Sequence, residues 1–201
     1  METREKIEWC RMWWENAPDA SLPRVLLIGD SIAESYSATA RQQLAGKANV
    51  DLLATSKCIR DPGFGTETAY AVEGYRHSII HFNNGLHGQH LADEEYAAAL
   101  RQYVLLLRRL APQAILLWAS STPRTTKEPG YPLDGEKNPQ VIARNAAAAT
   151  IMADSGIAID DLYSAVVGKA ELSAGDSVHY NAAGREFLGR IVAEVIAAQL
   201  R

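Results

Sequence analysis

The chain is poor in cysteine, holding only Cys10 and Cys58. Two such residues give no disulfide framework and no metal-ligand spacing, so both read as free thiols. Cys58 falls in a loop region, where ordinary packing explains it better than a role as a thiol nucleophile. No apolar run approaches the ~20 residues that a membrane-spanning helix needs, and the start, Met1 to Trp9, is charged instead of apolar. Neither a membrane partner nor a secretory leader is therefore expected, and the expected location is the cytoplasm. Lysines and arginines do not cluster beside aromatics, and the formal net charge is -4. Nucleic acid is excluded as a partner on that ground. Repeats and low-complexity segments are missing too. With 47% hydrophobic and 22% charged residues over 201 positions, the composition is that of one globular domain spanning 1–201.

What is present is organised around Arg24 to Ile32, Arg-Val-Leu-Leu-Ile-Gly-Asp-Ser-Ile. Val25 to Ile28 form an apolar run without alternation, which suits a strand covered on both faces in a parallel sheet. Gly29 permits a sharp turn, and Ala33 to Leu44 read as a helix, so Ser31 stands at the carboxyl end of the strand, where open α/β sheets carry their chemistry. Either Asp30 or Ser31 suits a helix cap. A nucleophilic serine needs more: a base to take its proton and a third group to orient that base. Near the other end the chain offers Asp176-Ser-Val-His179. An Asp three residues before a His can fold back onto Nδ1 and leave Nε2 facing a serine.

Taken in order, residues 4–16 space Ile7, Cys10, Trp13 and Trp14 as on a helix, which predicts a lead-in helix within 1–20 packed on the domain. A second strand is expected over Asn49–Ala54, then a turn-rich loop over Thr55–Thr66 and a helix over Glu67–Gly74. The third strand, Ser78–Phe82, runs into Asn83-Asn84-Gly85-Leu86-His87-Gly88. This is turn chemistry on one reading, and on the other an Asn amide facing an oxyanion. His81, His87 and His90 form no metal-binding frame, and neither metal nor cofactor is expected. Asp93 suits the cap of a helix with Tyr96, Leu100, Tyr103, Leu107 and Leu110 on one face. Ala114–Ala119 is the fourth strand, and a Pro- and Gly-rich loop to Pro139 reads as one wall of a cleft, with Trp118 and Arg124 as candidates for substrate contact. A helix over Val141–Ser155, a fifth strand over Ile157–Asp160 and a final helix capped by Asn181 complete a three-layer α/β/α sandwich with a five-stranded parallel sheet.

Together these motifs resemble the SGNH (GDSL-like) hydrolase superfamily over essentially the whole chain. Gly29-Asp30-Ser31 is similar to its first block, and Asp176 with His179 to its last. The Phe-Asn-Asn-Gly-Leu-His-Gly stretch departs from the usual Gly-x-Asn-Asp third block and resembles a subgroup with an Asn-x-Gly-Leu-His form. The resemblance implies a flavodoxin-like fold and a catalytic triad of Ser31, His179 and Asp176. It implies an oxyanion hole from the N–H of Ser31, a loop glycine (Gly63, alternatively Gly65) and an Asn amide (Asn83, alternatively Asn84). The implied activity is hydrolysis of short, acetyl-type esters of a carbohydrate or other polar alcohol. The competing functions are a thioesterase or lysophospholipase-type acyl hydrolase and a non-catalytic carbohydrate-binding protein on the same fold.

Overall fold

The structure, a computed structural model, describes Arg4 and residues 6–200. Its strands are β1 (Cys10–Trp13), β2 (Arg24–Gly29), β3 (Asn49–Thr55), β4 (His77–Phe82), β5 (Ile115–Ala119) and β6 (Ala158–Asp160). The helices are α1 (Ser31–Gln43), α2 (Pro62–Val72), α3 (Asp93–Leu110), α4 (Asn138–Ser155), α5 (Leu162–Val166) and α6 (Ala182–Ala197), with a 3-10 turn at Ala170–Leu172. None of the helices is long and apolar enough to cross a membrane.

The aliphatic run of β2 is completely buried because both faces of the sheet are covered. Val25 and Leu27 share one core with Tyr36 of α1 and Leu188 and Val192 of α6, while Leu26 and Ile28 share the other with Phe64 of α2, Leu100 and Leu107 of α3 and Ile151 of α4. The two cores sandwich the sheet, giving the three-layer α/β/α order expected. Strand order is β1-β3-β2-β4-β5-β6. From β2 the chain steps to β3 on one side and then across to β4 on the other, with all four of the pairings from β3 to β6 parallel. The crevice between the carboxyl ends of β2 and β4 is thus a topological switch point, the place where such sheets bind ligands.

Three sequence expectations need correction. The lead-in helix is instead a sixth strand: Cys10–Trp13 pairs antiparallel with Leu52–Thr55. Four residues satisfy a helical and an extended period equally well, and the open edge of β3 decides between them; Ile7, counted on the helical stripe, is largely exposed. Helix α2 starts at Pro62 and not at Glu67, because Asp61 accepts the Gly63 N–H and Pro62 fits the first turn. At α3 the cap position belongs to Ala92, whose N–H donates to Glu95, and Asp93 is already helical.

The amino-terminal end of the sheet is closed by a buried polar network. Arg24 donates to Asp51 Oδ1 (2.8 Å) and to the Asn16 carbonyl (2.8 Å), lies over the Tyr75 ring, and shares Asp51 with His77 Nε2 (3.0 Å). The Glu15 N–H also donates to Asp51 Oδ1. Removing one partner of a buried ion pair strands the other charge, at a typical cost of about 3–5 kcal/mol. Asp51→Ala should lose stability on that scale in urea denaturation, with its slope unchanged; a loss under ~1 kcal/mol would contradict the role given to this network.

Candidate active site

Ser31 is placed by the turn that ends β2. A Cβ on Gly29 would sit 2.6 Å from the Ala33 Cβ, so only glycine lets α1 fold back this closely on the strand. Asp30 takes the cap position, its Oδ1 accepting the Ile32 N–H at 2.9 Å. Capping therefore falls to Asp30, and the Ser31 hydroxyl is left for other work. Ser31 is the first residue of α1, where no preceding turn supplies a carbonyl for its N–H and where the helix dipole favours negative charge.

The hydroxyl of Ser31 lies 2.8 Å from His179 Nε2, and His179 Nδ1 lies 2.6 Å from Asp176 Oδ2. The carboxylate fixes the tautomer: Nδ1–H donates to Asp176, and Nε2 accepts from Ser31. Asp176 is itself held by its own turn, Oδ1 accepting the N–H of Val178 (3.0 Å) and of His179 (2.8 Å). Closing that turn forces Ser177 to a φ of 84°, a conformation few non-glycine residues adopt. Burial alone would raise the Asp176 pKa; the N–H of His179, its ring N–H and the Val178 N–H outweigh it and hold the group at about 2, against 3.8 normally.

A cleft of about 370 Å³ opens over Ser31 and His179. Most of the described residues that line it are charged or polar, Arg4, Glu8, Asp61 and Arg124 among them, with Leu86 and Val178 as the larger aliphatic side chains. Arg4 grips Asp61 through two hydrogen bonds, 2.8 and 3.1 Å, and helps hold that carboxyl below its usual pKa despite burial. The opposite wall is the 85–91 loop, organised from below by Arg144 of α4. This buried guanidinium donates to the carbonyls of Gly85, Gly88 and Leu91 and stacks over Tyr96. Burial lowers its pKa.

Ser31, His179 and Asp176 are thus brought together, whereas other candidates fall elsewhere. Gly63 donates its N–H to Asp61 at 2.8 Å inside the first turn of α2, and Gly65 lies within the same helix beside Leu106. Neither lines the cleft, because the helix begins earlier than the sequence suggests. Asn83 continues β4, its N–H on the Ile28 carbonyl, and both amide hydrogens are engaged, on Ala119 O (2.6 Å) and Ser121 Oγ (3.1 Å). Asn84 is the second residue past β4; its buried amide donates to Lys57 O at 2.8 Å, which leaves a second amide hydrogen without an assigned acceptor. Trp118 is buried in the core and does not line the cleft over Ser31, whereas Arg124 does. Neither Cys10 nor Cys58 forms a disulfide, and Cys58 lines the cleft beside Gly88. Among the described residues no group of three or more His, Cys, Asp or Glu could hold a metal ion. Sequence reasoning missed Arg4, Glu8 and Arg144; an arginine inside the Ala-rich stretch of α4 was the available signal for the last.

No protein-family model matches the chain, and no curated protein matches it in sequence. Solved structures do. A carbohydrate acetylesterase from Sinorhizobium meliloti is 14% identical with a TM-score of 0.72, covering 88% of this chain and 99% of that one. An aryl esterase from M. smegmatis is 14% identical with a TM-score of 0.72, covering 89% and 100%. A GDSL-like lipase from Bacteroides thetaiotaomicron VPI-5482 is 14% identical with a TM-score of 0.67, covering 88% and 89%. The chain shares its α/β/α fold with these three solved structures.

The low pKa of Asp176 has a consequence for acid stability. Its folded value lies below the unfolded one, so the stabilisation it brings is complete above about pH 4 and disappears as pH falls toward about 2. The stability difference between the wild type and Asp176→Asn, from denaturation curves, should shrink over that interval. Because the side chain is about half exposed the difference is small and salt-sensitive; a difference that stays constant or grows on acidification would contradict the assignment.

Proposed function

We propose that the protein is a serine esterase of the SGNH type, a carboxylic ester hydrolase acting through an acyl-enzyme on Ser31. One relay supports this above all: hydroxyl, imidazole and carboxylate in hydrogen-bonded series at 2.8 and 2.6 Å, at the switch point of the sheet. His179 Nε2 takes the Ser31 proton as Oγ attacks the ester carbonyl. The tetrahedral intermediate collapses, and the imidazolium returns the proton to the departing alcohol oxygen. A water, deprotonated by the same nitrogen, then attacks the acyl-enzyme, and the acid leaves as the imidazolium returns that proton to Ser31 Oγ. Asp176 keeps the ring oriented and stabilises its positive charge. The Ser31 N–H and the second amide hydrogen of Asn84 hold the oxyanion, in place of Asn83 and of either loop glycine.

The acyl group is small, acetyl in the first instance, and the alcohol polar. The charged lining of the cleft supports this, as does the likeness in fold to a carbohydrate acetylesterase. A lysophospholipase or long-chain thioesterase would need an apolar channel at the serine; among the described residues of the cleft over Ser31 the larger aliphatic side chains are Leu86 and Val178, and the second cavity touching His179, with Pro132, Leu133, Val166 and Val167, does not include Ser31.

Ser31→Ala should abolish hydrolysis of 4-nitrophenyl acetate and labelling by a fluorophosphonate while leaving the circular dichroism spectrum intact. Turnover by that variant at the wild-type rate rejects the nucleophile, and rates that climb steeply from acetyl to octanoyl esters reject the small acyl group. For the oxyanion donor, Asn84→Ala should lower kcat by about 10²-fold with little change in KM, whereas Asn83→Ala should act mainly on thermal stability. The reverse pattern would return the role to Asn83.

A further inference from the structure

Arg124 is held in place yet has nothing to hold. Its backbone is fixed on both sides: its N–H donates to Asn138 Oδ1 (3.0 Å), its carbonyl accepts the Asp134 N–H (3.0 Å), and the next N–H, from Thr125, reaches the carbonyl of Ser177 in the triad turn (3.1 Å). Its side chain lines the same cleft as Ser31 and His179. Among the described residues, no hydrogen bond or ion pair engages its guanidinium, and Nε is buried without a partner. The Asp134 carboxylate feels the charge of this guanidinium but forms no hydrogen bond or ion pair with it, and Asp134 Oδ1 accepts the N–H groups of Glu136 and Lys137. The other arginine of the rim, Arg4, is fully matched to Asp61. A partly buried guanidinium left unpaired is costly, and its planar fork fits a carboxylate through two parallel hydrogen bonds.

We propose that Arg124 is a specificity residue that receives a carboxylate carried by the ester substrate, so that the enzyme prefers anionic over neutral esters. The proposal rests on the serine-esterase function for the bond that is cleaved, but not for the binding of the carboxylate. That carboxylate has two sources, the acyl half, as in a half-ester of a dicarboxylic acid, or the alcohol half, as in an acetylated sugar acid. The triad turn and Arg124 share one hydrogen-bonded loop, so the distance from anion to reacting serine is set by backbone and not by a flexible side chain alone.

The test compares matched pairs in the full-length protein: 4-nitrophenyl acetate with mono-4-nitrophenyl succinate for the acyl half, and acetylated galactose with acetylated galacturonic acid for the alcohol half. In one of the two pairs, wild-type kcat/KM should favour the anionic member by about 10- to 100-fold, as expected of a charge-assisted bidentate contact. Arg124→Gln should collapse that ratio to within about twofold of unity, chiefly through KM, and Arg124→Lys should keep part of it. A ratio near unity in both pairs for the wild type, or one that survives in Arg124→Gln, overturns the proposal. Calorimetry separates the two claims: succinate or galacturonate should bind Ser31→Ala and fail to bind the Ser31→Ala, Arg124→Gln double variant. Arg124-dependent binding without any ester turnover by the wild type would retire the esterase and keep the carboxylate site. Turnover of neutral esters with no such binding would do the opposite.

Discussion

A strand buried on both faces can present polar chemistry only at its ends, and that constraint organises this molecule. The two ends of the sheet are used differently. At the amino end, Arg24 and His77 both pair with Asp51 out of reach of solvent. At the carboxyl end, Ser31 and His179, 148 positions apart, meet at the mouth of an open cleft. Charge that is sealed at one end is exposed at the other, and the crossing of the chain from β3 past β2 to β4 decides where the opening falls.

The walls of that opening are built by long-range contacts more than by local turns. Arg144 gathers three carbonyls of the 85–91 loop onto α4, and Arg4 draws the segment ahead of β1 onto the cap of α2. Both arginines act through geometry: each has several donors in a fixed plane, and each meets acceptors already in place. The loop carrying Arg124 follows the same scheme in reverse, its backbone fastened to the Asp176–His179 turn while its side chain stays available.

Much of this was legible in the sequence, and what was not has identifiable physical causes. The unbroken run Val25–Ile28 announced a central buried strand, and the small-residue turn after it located Ser31. The Asp176-to-His179 interval carried its own geometry, because an Asx turn brings carboxylate and ring together without help from the rest of the fold. Short segments were harder. Cys10–Trp13 is too brief to declare a period, and its structure is dictated by an edge it cannot know about. The choice between Asn83 and Asn84 turns on a single ladder bond, from Asn83 N–H to Ile28 O, which extends the pairing one residue past the apolar run. Gly63 and Gly65 misled because glycine in a turn-rich stretch suggests loop, whereas Asp61 and Pro62 together start a helix there. Pairings such as Arg144 with the 85–91 carbonyls leave no local trace beyond an arginine in an Ala-rich stretch.

The antiparallel strand at the margin of the sheet has a further effect. With β1 in place the two outermost ribbons are only four and three residues long. Arg11 on the outer one is drawn toward Glu34, putting charge along that border. Long unprotected borders recruit other chains into intermolecular sheets; short, charged ones give such growth little to align on. The segment that closes the parallel sheet thereby also guards the folded molecule against self-templated polymerisation.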